Sequence, residues 1–174
     1  TQGKRICILI DLPDLTQAKG FAFLDDLKLQ VQARAHKYFY TALKEGALAK
    51  LGATGGEMFA YPLTGGSNLD MSDYCVDMEG NELSLERDVY SKYDIILCIS
   101  TFSATAPLTA HAKKFGFRGA TLHGLNEVIL STGLAVDYND VSRDAEKLRL
   151  SMTRADWVEI DFTVDGHQDM TVRL

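Results

Sequence analysis

The sequence predicts an α/β fold, a doubly wound and mostly parallel sheet that ends in an antiparallel hairpin. Three observations predict it. Two runs, RICILIDL at 5–12 and YDIILCIST at 93–101, are apolar on both faces, as strands buried in the middle of a parallel sheet are. Segments with apolar residues at steps of three and four separate the strand-like runs. Near the C-terminus two alternating stretches flank Asp165-Gly166, a hairpin turn signal.

The first strand covers Arg5 to Leu12, with Asp11 at its end and Pro13 terminating it. Residues 14–22 read as a polar connection. From Phe23 to about Leu51 the pattern is helical, with Gly46 as a possible break and Gly52 as the stop. GGEMFAYPL at 55–63 is a second strand, and Pro62 ends it or places it at an edge. Residues 64–81 read as a long loop, and a length of that kind without regular structure points to function. A short helix over 83–93 leads into the strand at 93–101. A helix over 103–116 follows, with Ser103 as its N-cap, Gly116 as its stop and Pro107 suited to a slightly later first turn. RGATL at 118–122 is a short strand. A helix over 126–131 and an amphipathic helix over 139–154 follow; Asn139 or Asp140 caps the latter, and Val141, Ala145, Leu148 and Met152 line one face. The order strand, helix, strand, repeated, is Rossmann-like, with right-handed crossovers. Residues 1–156 are expected to form one α/β domain, and 157–174 a hairpin leading to a second domain absent from this chain.

Length and composition narrow the function. A chain of 174 residues suits a domain with a real core, and 46% hydrophobic with 24% charged residues is ordinary for a globular protein. The formal net charge of -6 and the scattered basic residues disfavour nucleic acid, which is bound largely by neutralising phosphates. No run approaches the roughly 18–20 apolar residues of a membrane span, and no basic-then-apolar leader is present. The three cysteines lack CxxC spacing and suit a reducing, cytoplasmic setting. Cys7 and Cys98 read as small buried hydrophobes and Cys75 as part of the polar loop. The chain opens without methionine and stops at Leu174 inside a strand-like stretch, so it is expected to be a fragment.

The motif search returns mostly exclusions. A dinucleotide site needs glycines directly after the first strand, where this chain has Asp11-Leu12-Pro13-Asp14, and the two carboxylates would repel a phosphate. No GxxxxGK[ST] and no Gly-x-Ser-x-Gly occurs. His36, His111, His123 and His167 fall in four different elements without ligand spacing, and His36 is expected to be exposed. Asp70, Asp73 and Asp77 lack the central glycine and closing glutamate of a calcium loop. Tyr38, Phe39 and Tyr40 run consecutively, so one or two belong to the core and the remainder to an exposed patch. The residues that remain as ligand contacts are Asp11, Thr101, Ser103 and His123. They sit at carboxyl ends of strands, where open α/β sheets form crevices. Hydroxyls and helix N–H groups there could hold a small anion, although helix capping is the simpler role for Ser103.

Ile99 to Leu125, ISTFSATAPLTAHAKKFGFRGATLHGL, resembles the N-terminal domain of the thermophilic-type metallo-aminopeptidases, the M29 family that includes aminopeptidases T and S. In that family a strand ends in a Ser/Thr-rich turn, followed by a basic helix and a strand ending near a glycine. Ser100, Ser103, Thr105, Lys113, Gly116, Arg118 and Gly124 take those places. Val136-Asp137-Tyr138 with its helix, Thr153 to Asp156, Asp165-Gly166 and the start at Gly3-Lys4-Arg5 are similar to further family segments. His123 departs from a proline-like position. The resemblance implies a non-catalytic half that shapes access to the active site and helps assembly, in a homo-oligomer. It also implies a divalent metal (Zn, Co, Mn or Fe) held by a C-terminal domain outside these residues. No catalytic residue and no metal ligand of this chain follows from it. A related branch opens dihydroxypyridine rings with iron, so ring-cleaving chemistry is the alternative, as is a free-standing module for a small anionic ligand.

Overall fold

A computed structural model describes residues 2–174 of the chain. It contains a mixed, mostly parallel six-stranded sheet and a separate two-stranded antiparallel hairpin. The chain divides into two compact units, Thr1–Leu130 and Ser131–Leu174.

In the first unit the strands are β1 (Arg5–Leu12), β2 (Thr54–Pro62), β3 (Tyr74–Asp77), β4 (Glu82–Ser84), β5 (Ile95–Ser100) and β6 (Arg118–His123), in the spatial order β4-β3-β2-β1-β5-β6. β1 pairs in parallel with β2 on one side and with β5 on the other, and β5 pairs in parallel with β6. The two apolar runs of the sequence are therefore the central neighbours β1 and β5. From Cys7 to Leu12 every residue of β1 is buried, because both faces of the sheet are covered. The odd positions Cys7 and Leu9 join Phe59, Tyr61, Cys75, Leu85, Val89, Tyr90, Ile96, Cys98, Leu108 and Phe117 in one apolar cluster. Ile8 and Ile10 alternate to the opposite face and are equally buried.

The stretch 64–81, expected to be a loop, contains β3. Tyr74–Asp77 adds to β2 antiparallel and β4 adds to β3 in the same sense. Cys75 is thereby a core residue rather than a loop residue. The strand is only four residues long and follows a polar stretch, and that hid it.

The helix expected from Phe23 starts later. Asp14 caps short 3-10 turns over Leu15–Asp25, and Gly20 and Phe21 take left-handed backbone angles that no helix passes through. Helical structure runs from α1 (Gln30–Arg34) through π-type turns at Ala35–Tyr40 and Leu43–Ala47 to α2 (Leu48–Leu51). Gly46 has φ of 121° and breaks the regular path; Gly52 closes α2 in the left-handed conformation. His36 is not fully exposed: its ring packs on Phe21 and Tyr40, and partial burial pushes its pKa down. Tyr38, Phe39 and Tyr40 are all half-buried, so none of the three is a full core residue.

A π-type turn at Leu85–Tyr90 precedes β5, and α3 (Thr105–Phe115) crosses to β6. Gly116 ends α3 with φ of 81°. α4 (Glu127–Ser131) begins with Asn126 Oδ1 accepting from the Ile129 N–H.

In the second unit, α5 (Tyr138–Arg154) is capped by Asp137, which accepts from the Asn139 N–H, so the cap lies ahead of the expected Asn139 or Asp140. β7 (Glu159–Val164) and β8 (His167–Arg173) pair across the Asp165-Gly166 turn. Among the described residues no helix is long and apolar enough to cross a membrane.

Candidate functional site

The strand order changes direction at β1, with β2 on one side and β5 on the other. The carboxyl ends of β1 and β5 therefore meet at the point where an open α/β sheet leaves its crevice. Asp11 closes β1 there and Thr101 follows β5.

These two residues are in direct contact. The Thr101 N–H donates to both carboxylate oxygens of Asp11 at 2.9 Å, and its hydroxyl donates to Oδ1 at 3.2 Å. Gln32 of α1 completes the group. Its Nε2 donates to Asp11 Oδ1 at 2.7 Å, to the Asp11 carbonyl at 2.9 Å and to Thr101 Oγ1 at 2.9 Å. Asp11 and Gln32 are each 1% exposed. Burial pushes the Asp11 carboxyl above its ordinary pKa, and the hydrogen bonds from Thr101 and Gln32 offset only part of that. Gln32 was not singled out from the sequence. Its signal was a polar residue on the buried side of a helical stripe, beside Val31 and Ala35.

Ser103 belongs to a neighbouring group. Its hydroxyl hydrogen-bonds Asn68 Oδ1 at 3.3 Å and Thr105 Oγ1 at 3.1 Å, and its N–H donates to Ser67 Oγ. Asn68, in the left-handed conformation with φ of 60°, accepts from the Ala106 N–H at 3.0 Å and donates its own N–H to the Ser103 carbonyl. A residue 38 positions upstream thus caps α3, whose Ala104 N-cap has no side chain for the task. Ser103 contributes a weaker bond from the Thr105 N–H at 3.4 Å, so the cap expected of Ser103 is shared and Asn68 holds the larger part. Pro107 lies inside the first turn, where its missing N–H costs nothing.

His123 ends β6 in register with Ser100 and is exposed. Of the four expected contact residues, Asp11 and Thr101 are brought together, Ser103 stands in the adjoining loop, and His123 makes no side-chain hydrogen bond among the described residues.

The chemistry of the crevice follows from where its donors go. The Thr101 N–H and the first N–H groups of α3 are the donors an anion would use. Asp11 takes the first and Asn68 and Ser103 take the second. The buried Asp11 carboxyl would also oppose a negative ligand. The arrangement joins the ends of β1 and β5 and fastens the 64–70 segment to α3.

The chain matches no family profile, no curated protein and no solved structure.

Proposed function

We propose that this chain is a non-catalytic, Rossmann-like and doubly wound N-terminal domain of an aminopeptidase-like metalloenzyme, working by shaping access to an active site carried elsewhere and by assembly. One observation carries the reading. The Ser131–Leu174 unit presents apolar side chains that it does not bury itself. Tyr138, Val141, Ala145, Leu148 and Met152 recur along α5 at alternating steps of three and four, with Leu148 63% exposed. Ile160, Phe162, Val172 and Met170 share one face of the hairpin by its register, with Phe162 45% exposed. A helix and a hairpin patterned in this way are built to be covered.

Two further points support it. The segment resembling the metallo-aminopeptidases, Ile99 to Leu125, folds as the strand, turn, helix and strand that the resemblance implies. At the crevice, the hydrogen-bonding groups of Asp11, Thr101, Ser103 and Asn68 are spent on one another. Among the described residues no group of three or more His, Cys, Asp and Glu is placed to hold an ion. The metal ligands belong to the second domain in this reading.

The test is the intact mass of the natural protein, followed by assay of amino-acid amide hydrolysis with Zn, Co or Mn. A mass well above the 19.2 kDa of this chain with metal-dependent hydrolysis supports the proposal. A mass of 19.2 kDa overturns it. Iron-dependent opening of a dihydroxypyridine ring by the natural protein would move it to the oxygenase branch.

A further inference from the structure

The two edges of the six-stranded sheet differ. β4, at one edge, is three residues long and opens with the exposed Glu82; short and charged strands resist pairing with other chains. β6, at the other edge, has six residues, and its run from Gly119 to Leu122 carries neither charge nor proline. The N–H groups of Arg118 and Gly124 donate inward to the Asp94 and Ser100 carbonyls. By the alternation of a parallel pair, Gly119, Thr121 and His123 therefore turn their N–H and C=O groups outward, and these have no partner among the described residues.

We propose that β6 pairs antiparallel with β6 of a second copy, across a two-fold axis at Thr121. The register is self-complementary, as an isologous interface requires. Gly119 meets His123 of the other copy, Thr121 meets its own counterpart, and Ala120 meets Leu122. About six main-chain hydrogen bonds form between outward-facing pairs. The side chains match as well. Gly119 and Thr121 border a groove of about 220 Å³ with Thr105, Leu108, Thr109 and Ala112 of α3. His123 lies on the same face of β6 and is exposed, so the register sets each imidazole ring beside the Leu108 side chain that packs over the opposite Gly119. On the other face Ala120 and Leu122 form apolar cross-strand pairs, which are favourable contacts. No like charges meet within the strand pair. The net charge of -6 on each copy opposes association, so added salt strengthens the dimer.

Sedimentation equilibrium of the 174-residue chain tests this. The wild type is expected to shift with rising concentration from 19.2 kDa towards twice that mass, at lower concentration in high salt. Ala120→Glu with Leu122→Glu sets carboxylates opposite one another twice and is expected to leave a monomer with unchanged circular dichroism. Ala120→Lys with Leu122→Glu turns both pairs into opposite charges and is expected to restore the dimer. Thr121→Cys gives a readout independent of these variants. The three natural cysteines are buried, and facing Cα atoms in a hydrogen-bonded antiparallel pair lie about 5.5 Å apart, within disulfide reach. Oxidation is expected to cross-link Thr121→Cys, whereas Ala120→Cys, which faces Leu122, stays uncross-linked. A wild type that stays monomeric, a dimer unaffected by the paired glutamates, or a dimer lost only in Leu148→Glu on α5 overturns the proposal. A monomeric wild type or a dimer unaffected by the paired glutamates overturns the β6 pairing alone, whereas a dimer lost only in Leu148→Glu would also mean that a second copy covers the α5 face on which the metalloenzyme reading rests.

Discussion

At the residue scale the decisive group is Asp11. An aspartate at the end of an apolar strand is legible in the sequence, but its burial and its partners are not. Burial raises its pKa above the ordinary 3.8, so the folded protein holds this proton more tightly than the unfolded chain does. The penalty for ionising it is absent below the unfolded value and grows as pH rises through the folded one. Asp11→Asn removes that titration. Urea unfolding of the two proteins across pH should show wild type losing stability relative to Asp11→Asn as pH rises above 3.8, then levelling off. A constant difference would mean that the carboxyl titrates normally. The cysteines give a second prediction at this scale. All three are buried; burial pushes the Cys75 and Cys98 thiols up to about 12 and Cys7 well above its usual range. An aromatic disulfide reagent is expected to release no colour at neutral pH until denaturant unfolds the protein. Rapid labelling of one thiol in the native state would show that its strand opens.

At the element scale the cap of α3 shows how far pattern reading reaches. Ser103 stands in a good capping position, yet Asn68 accepts the Ala106 N–H from a distant segment. Asn68→Ala is expected to cost about 1 kcal/mol in chemical denaturation, the usual size of a lost cap, and Ser103→Ala less. Equal losses would mean that the two share the cap evenly. The strands β1 and β5 were legible because two-sided burial leaves a continuous apolar run. β3 and β4 were not, since strands of four and three residues, the outer two on one side of the sheet, carry too few buried side chains to form a pattern. The start of the first long helix was misplaced for a related reason. Phe23 and Leu24 fit the helical spacing, but the left-handed backbone at Gly20 and Phe21 and the turn held by Asp26 keep regular helix from forming before Gln30.

At the scale of the whole molecule the two units differ in how they are held. Thr1–Leu130 has a sheet with a buried apolar cluster, whereas the side chains of α5 in Ser131–Leu174 are exposed throughout. Little apolar burial means a low free energy of local opening. Limited proteolysis is therefore expected to leave a resistant fragment ending near Leu130, and amide exchange to be faster along α5 and the hairpin than along β1 and β5. Equal protection in both units would show that the apolar faces of the second are covered in solution. Dimerisation through β6 is separable from this, because β6 belongs to the resistant fragment.

The sequence by itself determined the α/β class, the two central strands, the terminal hairpin and the amphipathic helix before it. Each follows from local periodicity, which depends only on which faces a segment buries. It also placed Asp11, Thr101, Ser103 and His123 at strand ends. Only the tertiary structure decided that Asp11, Gln32 and Thr101 form one hydrogen-bonded group, that Cys75 is core, that Asn68 caps α3 and that β6 is an open edge. Those relations join residues as far as 90 positions apart. They arise from sheet topology and register, which hydrophobic patterning within a single segment does not encode.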